Sequence, residues 1–279
     1  MTTICLLTHN RADQLEKTLR NIDNEFGDNL NILVLNNGSS DGTRDLLDEK
    51  YSSKSYYKLF HSQDNLGVAR GREFLWRKVS TKYILSIDDD IIFTKSTVEI
   101  MISKLEENKK AGLISPDIKD SFSGKVINGK RKPSDRLPSF YEACFLLRKD
   151  VVNQIGYFDS KLTVAGEGLD YALRLRNAGY SILRTHEVSV VHVDRVRIAE
   201  ELMVRRQQWL WSFAYVYWKN LPPHYALFFT FRILLAHIRV GFVLFGMSFI
   251  MSLPKFAVAG SMTGYTSKSN LASQTLHEA

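Results

Sequence analysis

The apolar run Tyr83-Ile84-Leu85-Ser86-Ile87 leads straight into three consecutive carboxylates, Asp88-Asp89-Asp90. Such a run, bounded by polar residues, marks a strand buried on both faces of a parallel sheet. Three acids cannot continue into that core, because burying unpaired charge is too costly. They therefore fall where the strand emerges, at its carboxyl end, the edge at which open α/β sheets bind ligands. Residues two apart on a strand point the same way, so Asp88 and Asp90 share a side and Asp89 faces away. Two hard oxygen donors at a strand tip suit Mg2+ or Mn2+. For the acids taken alone, a helix cap or a solvated acidic turn is the alternative.

The chain has 279 residues, enough for one large α/β domain with or without an appendage. Its formal charge of +7 anticipates a polyanionic neighbour: nucleic acid, a nucleotide or an anionic membrane surface. The two cysteines, Cys5 and Cys144, lie in apolar runs and read as small core residues in a reducing compartment. No cysteine spacing suits a metal. No signal segment is expected at the start, which enters a strand directly.

Ile4-Cys5-Leu6-Leu7 and Asn31-Ile32-Leu33-Val34-Leu35 read as buried strands, and Tyr57-Lys58-Leu59-Phe60 as a weaker third. Leu15, Leu19 and Ile22 recur at helical spacing, as do Val68, Leu75 and Val79. Leu46 and Leu47 mark a short helix. Ser96 with Glu99 forms a capping-box pattern ahead of Val98, Met101, Ile102 and Leu105. Gly112-Leu113-Ile114-Ser115 is the next strand. Strands alternating with helices over short connections predict a mostly parallel sheet covered on both faces. The polar loops that follow the strands then gather at one edge with the carboxylates.

From residue 116 to 139 glycine, serine, proline and Lys130-Arg131-Lys132 interrupt the pattern, which predicts a loop or hairpin. Ala143-Cys144-Phe145-Leu146-Leu147 resumes as a strand. A short helix runs from Asp150 to Ile155 and a stronger one from Leu169 to Ala178, ended by Gly156 and Gly179 respectively. Ser181-Ile182-Leu183 and Val188-Ser189-Val190-Val191 read as two strands, the second ending at His192.

At the strand ends Asp41 can accept from a ribose hydroxyl or a base N–H, and Arg11 and Arg70 can meet a phosphate. Walker and dinucleotide glycine motifs are absent, which argues against ATPase and dehydrogenase readings. Gly166-Glu167-Gly168-Leu169-Asp170 is a second acidic site, opening a helix. Its acids can simply complement the helix dipole, and Asp170 can pair with Arg174 four residues on. Glu167 can also serve as a catalytic base. An imidazole from His192 would complete an Mn2+ site with the aspartates.

Taken in order, Thr8-His9-Asn10-Arg11, Asn37-Gly38-Ser39-Ser40-Asp41-Gly42-Thr43, Asn65-Leu66-Gly67-Val68-Ala69-Arg70, Ile87-Asp88-Asp89-Asp90, Ile155-Gly156-Tyr157-Phe158-Asp159 and residues 167–180 resemble the motifs of family 2 glycosyltransferases. The likeness runs over about residues 2–195. It implies the nucleotide-sugar-binding, Rossmann-like fold of GT-A type: α/β, a mostly parallel sheet with helices on both faces. It also implies metal-dependent, inverting transfer from a nucleoside diphosphate sugar, with UDP- or dTDP-sugars favoured. On this resemblance Thr8, Asn10, Arg11, Asn37, Asp41, Asn65, Gly67, Arg70, Asp88 and Asp89 contact the donor. Asp88 and Asp90, with His192, hold Mn2+ or Mg2+. The family usually carries adjacent acids, the second being the base; here that second position is Gly168, so Glu167 or Asp170 takes the role, Glu167 being favoured. Asn36 stands where an aspartate is common.

Beyond residue 195 the likeness fades. Arg205, Arg206, Trp209, Trp211, Tyr215, Tyr217, Trp218 and Lys219 crowd one helix-like stretch, which Pro222-Pro223 ends. The apolar stretch after it is interrupted by Arg232, His237 and Arg239. Its longest uncharged piece, residues 240–254, is 15 residues long, short of the ~20 a spanning helix needs. Arg232 and Arg239, seven apart, share a helical face. That pattern suits a helix lying in a membrane interface; an ordinary subdomain or an oligomer contact is the alternative. The expected division is therefore a catalytic domain over residues 1–195, a helical membrane-associating or oligomerising region over 196–260, and a disordered tail over 261–279.

These readings predict a cytoplasmic enzyme, peripheral on the inner face of the cell membrane. It would add a sugar to a glycan or lipid-linked acceptor during surface polysaccharide synthesis. A homo-oligomer is compatible with the C-terminal region. One rival is a catalytically inactive relative that binds nucleotide sugar or acts as a scaffold, for which Gly168 argues. A nucleic-acid-binding protein is the other, but Asp88-Asp89-Asp90 at the sheet edge contradicts it, so no nucleic-acid partner is expected.

Overall fold

The computed structural model describes residues 1–128, 137–163, 165–193, 199–245 and 261–263. Lys130-Arg131-Lys132 and all but three residues of the expected tail lie outside the described residues, as do the side chains of Arg205, Arg206, His237 and Arg239. The chain divides into two compact units, Met1–Ser160 with Tyr171–Arg195, and Lys161–Asp170 with Val196–Ala279.

In chain order the elements are β1 (Thr2–Thr8), α1 (Ala12–Phe26), β2 (Asn31–Asn37), α2 (Thr43–Lys50), β3 (Tyr57–Ser62), α3 (Gly67–Arg77), β4 (Tyr83–Asp88), β5 (Ile91–Ile92), α4 (Lys95–Glu107), β6 (Ala111–Asp120), β7 (Cys144–Arg148), α5 (Lys149–Ile155), α6 (Glu167–Asn177) and β8 (Ser181–His192). The eight strands form one sheet in the order β3-β2-β1-β4-β7-β6-β8-β5. The first four are mutually parallel. β7 runs antiparallel to both its neighbours, and β6 pairs parallel with β8.

Alternating side chains feed two cores. On one face Ile4, Leu6, Ile32, Val34, Leu85 and Ile87 meet Leu15, Leu19 and Ile22 of α1 and Met101 and Leu105 of α4. On the other Cys5, Leu33, Leu35, Ile84 and Phe145 meet Leu75 and Trp76 of α3, Val152 of α5, and Tyr171 and Leu175 of α6. Burial on both faces is why these strands read as unbroken apolar runs rather than alternating ones. Both cysteines are buried and unbridged.

From β1 the chain builds outward through β2 to β3, then returns to lay β4 on β1's other side. The loops leaving the carboxyl ends of β1 and β4 thus part in opposite directions. They leave a crevice at the topological switch point, where such sheets bind ligands.

Three local expectations are corrected. The Ser96–Glu99 capping box does not form: α4 begins at Lys95 with Thr94 as its cap residue. Glu25 Oε2 accepts the Lys95 N–H (2.8 Å), so a carboxylate from α1 does the capping. The pattern break set at Pro116 does not end the strand, because β6 continues to Asp120. Its register against β8 slips between Ser115 and Asp117, which is where a strand can accommodate a residue without an N–H. That slip also fuses the two strands expected after Gly179. Pairing passes from Ser115↔Arg184 to Asp117↔Ser189, so residues 185–188 bulge from a single strand, β8.

In the second unit α7 (Ala199–Asn220) and α8 (Pro223–Phe245) are joined at Pro222-Pro223. Pro223 takes the first helical position, where a missing N–H costs nothing. Tyr217 and Phe229 rings pack at 5.4 Å, and Trp218 Nε1 donates to Thr230 Oγ1 (3.1 Å). Tyr225, Leu227, Phe228, Phe231 and Leu235 of α8 are exposed. Among the described residues no helix is long and apolar enough to cross a membrane.

Candidate active site

The three acids leave β4 as the spacing predicts, but they do not share one environment. Asp89 is turned inward and buried, accepting from Thr8 Oγ1 (2.6 Å) and pairing with Arg11 Nη1 (2.9 Å). Its backbone carbonyl accepts from Thr18 of α1 (2.8 Å). Burial pushes its carboxyl up to about 7, against the opposing pull of Arg11 and Thr8. Asp89 and Thr8, expected on the donor, are thus bound to each other. Arg11 is committed as well: its second nitrogen lies 2.7 Å from Asp90 Oδ2.

Asp88 and Asp90 come close to one another and to His192. With His192 they each offer a ligand atom, all within 4.8 Å of one another. His192 arrives from the end of β8, paired across to Ile91 of the short strand that follows the acids. Its Nε2 lies 3.3 Å from Asp90 Oδ1. That oxygen is buried and, among the described residues, lacks a hydrogen bond of good geometry. A buried carboxylate oxygen left in this condition is costly unless something else meets it. Two hard oxygen donors and an imidazole match Mn2+ or Mg2+, so the residues present fit such an ion. Burial opposes ionisation of Asp90, yet His192 and Arg11 outweigh it and hold its carboxyl below the usual range. Asp88 is pushed the other way by desolvation, with Arg72 opposing. With 39% of its side chain open to water, that push is weaker than full burial would give.

Arg72 is the residue the sequence reading missed. It is 3% exposed. Its Nη2 donates to Asp88 Oδ1 (2.7 Å) and to the Glu142 carbonyl (2.9 Å). Its guanidinium lies over the Phe145 and Phe158 rings, at 5.5 and 5.7 Å. Arg70, expected on the donor, is exposed on α3 instead. The signal lay in helical spacing: Ala69, Arg72 and Trp76 fall on one buried stripe of α3, and an arginine in such a stripe needs a buried acceptor.

The remaining loops are stitched to one another. Asn10 adopts a left-handed backbone (φ 53) and donates its N–H to Ser39 Oγ (2.9 Å), while its Oδ1 accepts from the Ser40 N–H (2.7 Å). Asp41 accepts the Ala12 N–H (3.1 Å) and the Thr43 N–H (3.0 Å), so it splints the first two loops. Buried Asn37 donates to Asn65 Oδ1 (3.0 Å) and accepts the Leu66 N–H (2.9 Å), and Asn65 also accepts the Gly67 N–H (2.9 Å). Asn36 Oδ1 accepts the Ser39 N–H (3.1 Å). The donor-side residues other than Arg70 thus converge on one sheet edge, with much of their bonding capacity spent on holding that edge in shape.

On the second acidic segment the two candidate bases differ. Asp170 is fully buried, with Lys219 Nζ and Asn220 Nδ2 both 2.8 Å from its Oδ1. An acid held by two donors in this way is bound up in an ion pair, which leaves it less open to an incoming hydroxyl than Glu167. Glu167 is 5% exposed, and its Oε2 has no hydrogen-bond partner among the described residues.

Poly-beta-1,6-N-acetyl-D-glucosamine synthase of Staphylococcus aureus strain MSSA476 is 27% identical over 195 residues, 64% of this chain and 47% of that protein. The chain thus spans about half the length of the curated relatives it matches. Among solved structures, S. aureus TarS in complex with UDP-GlcNAc superposes with a TM-score of 0.63 at 15% identity, covering 98% of this chain and 92% of that one. The mannosyltransferase PcManGT from Pyrobaculum calidifontis, in complex with GDP-Man and Mn2+, gives a TM-score of 0.60 at 16% identity over 94% and 86% of the two chains. At such identities these two structures speak for the fold, which is that of GT-A glycosyltransferases. The model for glycosyl transferase family 2 matches residues 3–156, and that for glycosyl transferase family group 2 matches residues 83–266. The first match takes in every strand-end loop of the crevice and the second adds His192 and Glu167, so the chain belongs to glycosyl transferase family 2.

Proposed function

We propose that this chain transfers a sugar, with inversion, from a nucleoside diphosphate sugar to a hydroxyl of a glycan or lipid-linked acceptor in surface polysaccharide synthesis. The observation that carries the reading is the convergence of Asp88, Asp90 and His192 at the switch point, with Asp90 Oδ1 buried and without a well-formed hydrogen bond among the described residues. These three would hold Mn2+ or Mg2+. When bound there, the ion supplies positive charge to a departing diphosphate. Arg11 pairs with Asp89 and Asp90 and Arg72 with Asp88, which holds the aspartates in place, and Thr8 fixes Asp89. The loops carrying Asn10, Asn37, Asp41 and Asn65 would frame the nucleoside. Glu167 would take the proton of the attacking hydroxyl, leaving the sugar carbon to react on the face away from the diphosphate.

The solved relatives with UDP-GlcNAc, UDP and GDP-Man support a nucleotide-sugar donor of this kind. The S. aureus polysaccharide synthase supports a surface glycan as the product. The exposed apolar residues of α8, with Arg232 beside Phe228, support a peripheral position on the inner membrane face.

A panel of UDP-, dTDP- and GDP-sugars with Mn2+, read by donor hydrolysis, tests the reading. At least one donor should turn over, and Glu167→Ala should lose turnover while keeping UDP binding. Gly168, in place of an acid, favours an inactive nucleotide-sugar binder as the second reading; UDP binding without turnover of any donor would select it.

A further inference from the structure

We propose that Asn220 and Lys219, at the C-terminal end of α7, are positioning residues for Glu167. The inference rests on the reading of Glu167 as the base. The turn that carries Glu167 is fastened at both ends to α7. At its start Gly166 has φ +91, and a Cβ built there would lie 3.4 Å from both Ser212 and Val216, so the backbone itself lies against α7. At its end Asp170 is fully buried beneath Lys219 Nζ and Asn220 Nδ2, each 2.8 Å from Oδ1. Asn220 Nδ2 also donates to the Val216 carbonyl (3.0 Å), which fixes the amide on its own helix. The Asp170 N–H closes the turn onto the Gly166 carbonyl (2.8 Å). Glu167 sits between these two fixings, buried, with no hydrogen-bond partner for Oε2 among the described residues.

A carboxylate meant to accept a proton cannot be held by hydrogen bonds to its own oxygens without losing basicity. Holding it through the backbone on either side avoids that conflict. A buried ion pair is a poor source of stability but a good one of register. Asp170–Lys219 with Asn220 would set the register of the 166–170 turn against α7, and with it the position of Glu167.

The test uses the full chain with Mn2+ and whichever donor of the UDP-, dTDP- and GDP-sugar panel the wild type hydrolyses. Asn220→Ala should lower kcat by about 10–100-fold, since small displacements of a reacting group cost that much. Donor KM and the affinity for UDP with Mn2+ should stay unchanged. Amide exchange should rise within residues 166–170. The double variant Asp170→Asn/Lys219→Met, which removes both buried charges together, should show the same split. Full kcat in both variants, alongside an inactive Glu167→Ala, overturns the positioning role and leaves the catalytic reading intact. Loss of UDP affinity in step with kcat overturns it too, since damage is then general. Full turnover by Glu167→Ala, or a wild type that hydrolyses no donor, removes the reading of Glu167 as base and this inference with it.

Discussion

Gly38 shows how narrowly single residues shape the crevice. Its φ is +72, and a Cβ there would lie 2.4 Å from the Asp64 carbonyl carbon. The loop after β2 thus touches the loop after β3 backbone to backbone, and the Asn37–Asn65 bond depends on that approach. Gly38→Ala combines a left-handed conformation disfavoured for alanine with a hard clash. Unfolding in urea should show a loss of about 2–4 kcal/mol. An unchanged midpoint would mean the loops do not meet as described. At this scale the sequence was partly legible. Asp88, Asp90 and His192 followed from strand alternation and donor chemistry. Arg72 was less legible than Arg70 because helical phase on α3, and no strand-end motif, marks it as buried. The burial of Asp170 was hidden because its partners, Lys219 and Asn220, lie some fifty residues away.

At the scale of elements, the corner where α1, α2 and β3 meet is closed by a tyrosine cluster around Asp23. Tyr57 donates to Asp23 Oδ1 (2.8 Å), Tyr51 packs on Tyr57 at 5.1 Å, and Lys54 pairs with the same carboxylate. Burial, with the Asp23 charge adding, pushes Tyr51 up to about 12, and burial pushes Tyr57 further in the same direction. An unfolded tyrosine titrates near 10, so the folded state favours the neutral phenols. The stability they add is complete below about pH 10 and is lost as the pH rises through 12. Urea unfolding at pH 9 and pH 11.5 should show a marked fall for the wild type and a smaller one for Tyr57→Phe. At neutral pH that variant should lose about 1 kcal/mol with its hydrogen bond. Equal falls would remove the tyrosines from the account.

A second element, α8, carries the membrane proposal. Vesicles of phosphatidylglycerol should bind the chain better than vesicles of phosphatidylcholine. The double change Phe228→Glu/Phe231→Glu should weaken that binding by at least about tenfold, given the apolar area withdrawn from each ring. Binding that survives both charges would point to another surface. Most elements were readable from apolar spacing, but the two-residue β5, the single strand β8 and several element ends were not. α4 took its cap from Glu25, and β6 ran through Pro116 because β8 could slip past it. Both are settled by partners distant in sequence, which no local pattern carries.

For the molecule as a whole, the order of strands explains why residues from five loops come together. Four parallel strands reverse direction of growth between β1 and β4 and open the crevice there, and β8 brings His192 back to it from the far side of the sheet. The doubly covered sheet was legible in its continuous apolar runs. The antiparallel insertion of β7 was not, since a buried strand reads alike in either direction. The most direct test of the site is Mn2+ binding by the intact chain, followed by electron paramagnetic resonance with and without UDP. The wild type should bind Mn2+, more tightly with UDP present, and Asp90→Ala should weaken that binding by at least about 10–100-fold. Mn2+ held equally well by Asp90→Ala, or not held by the wild type even with UDP, would contradict the account.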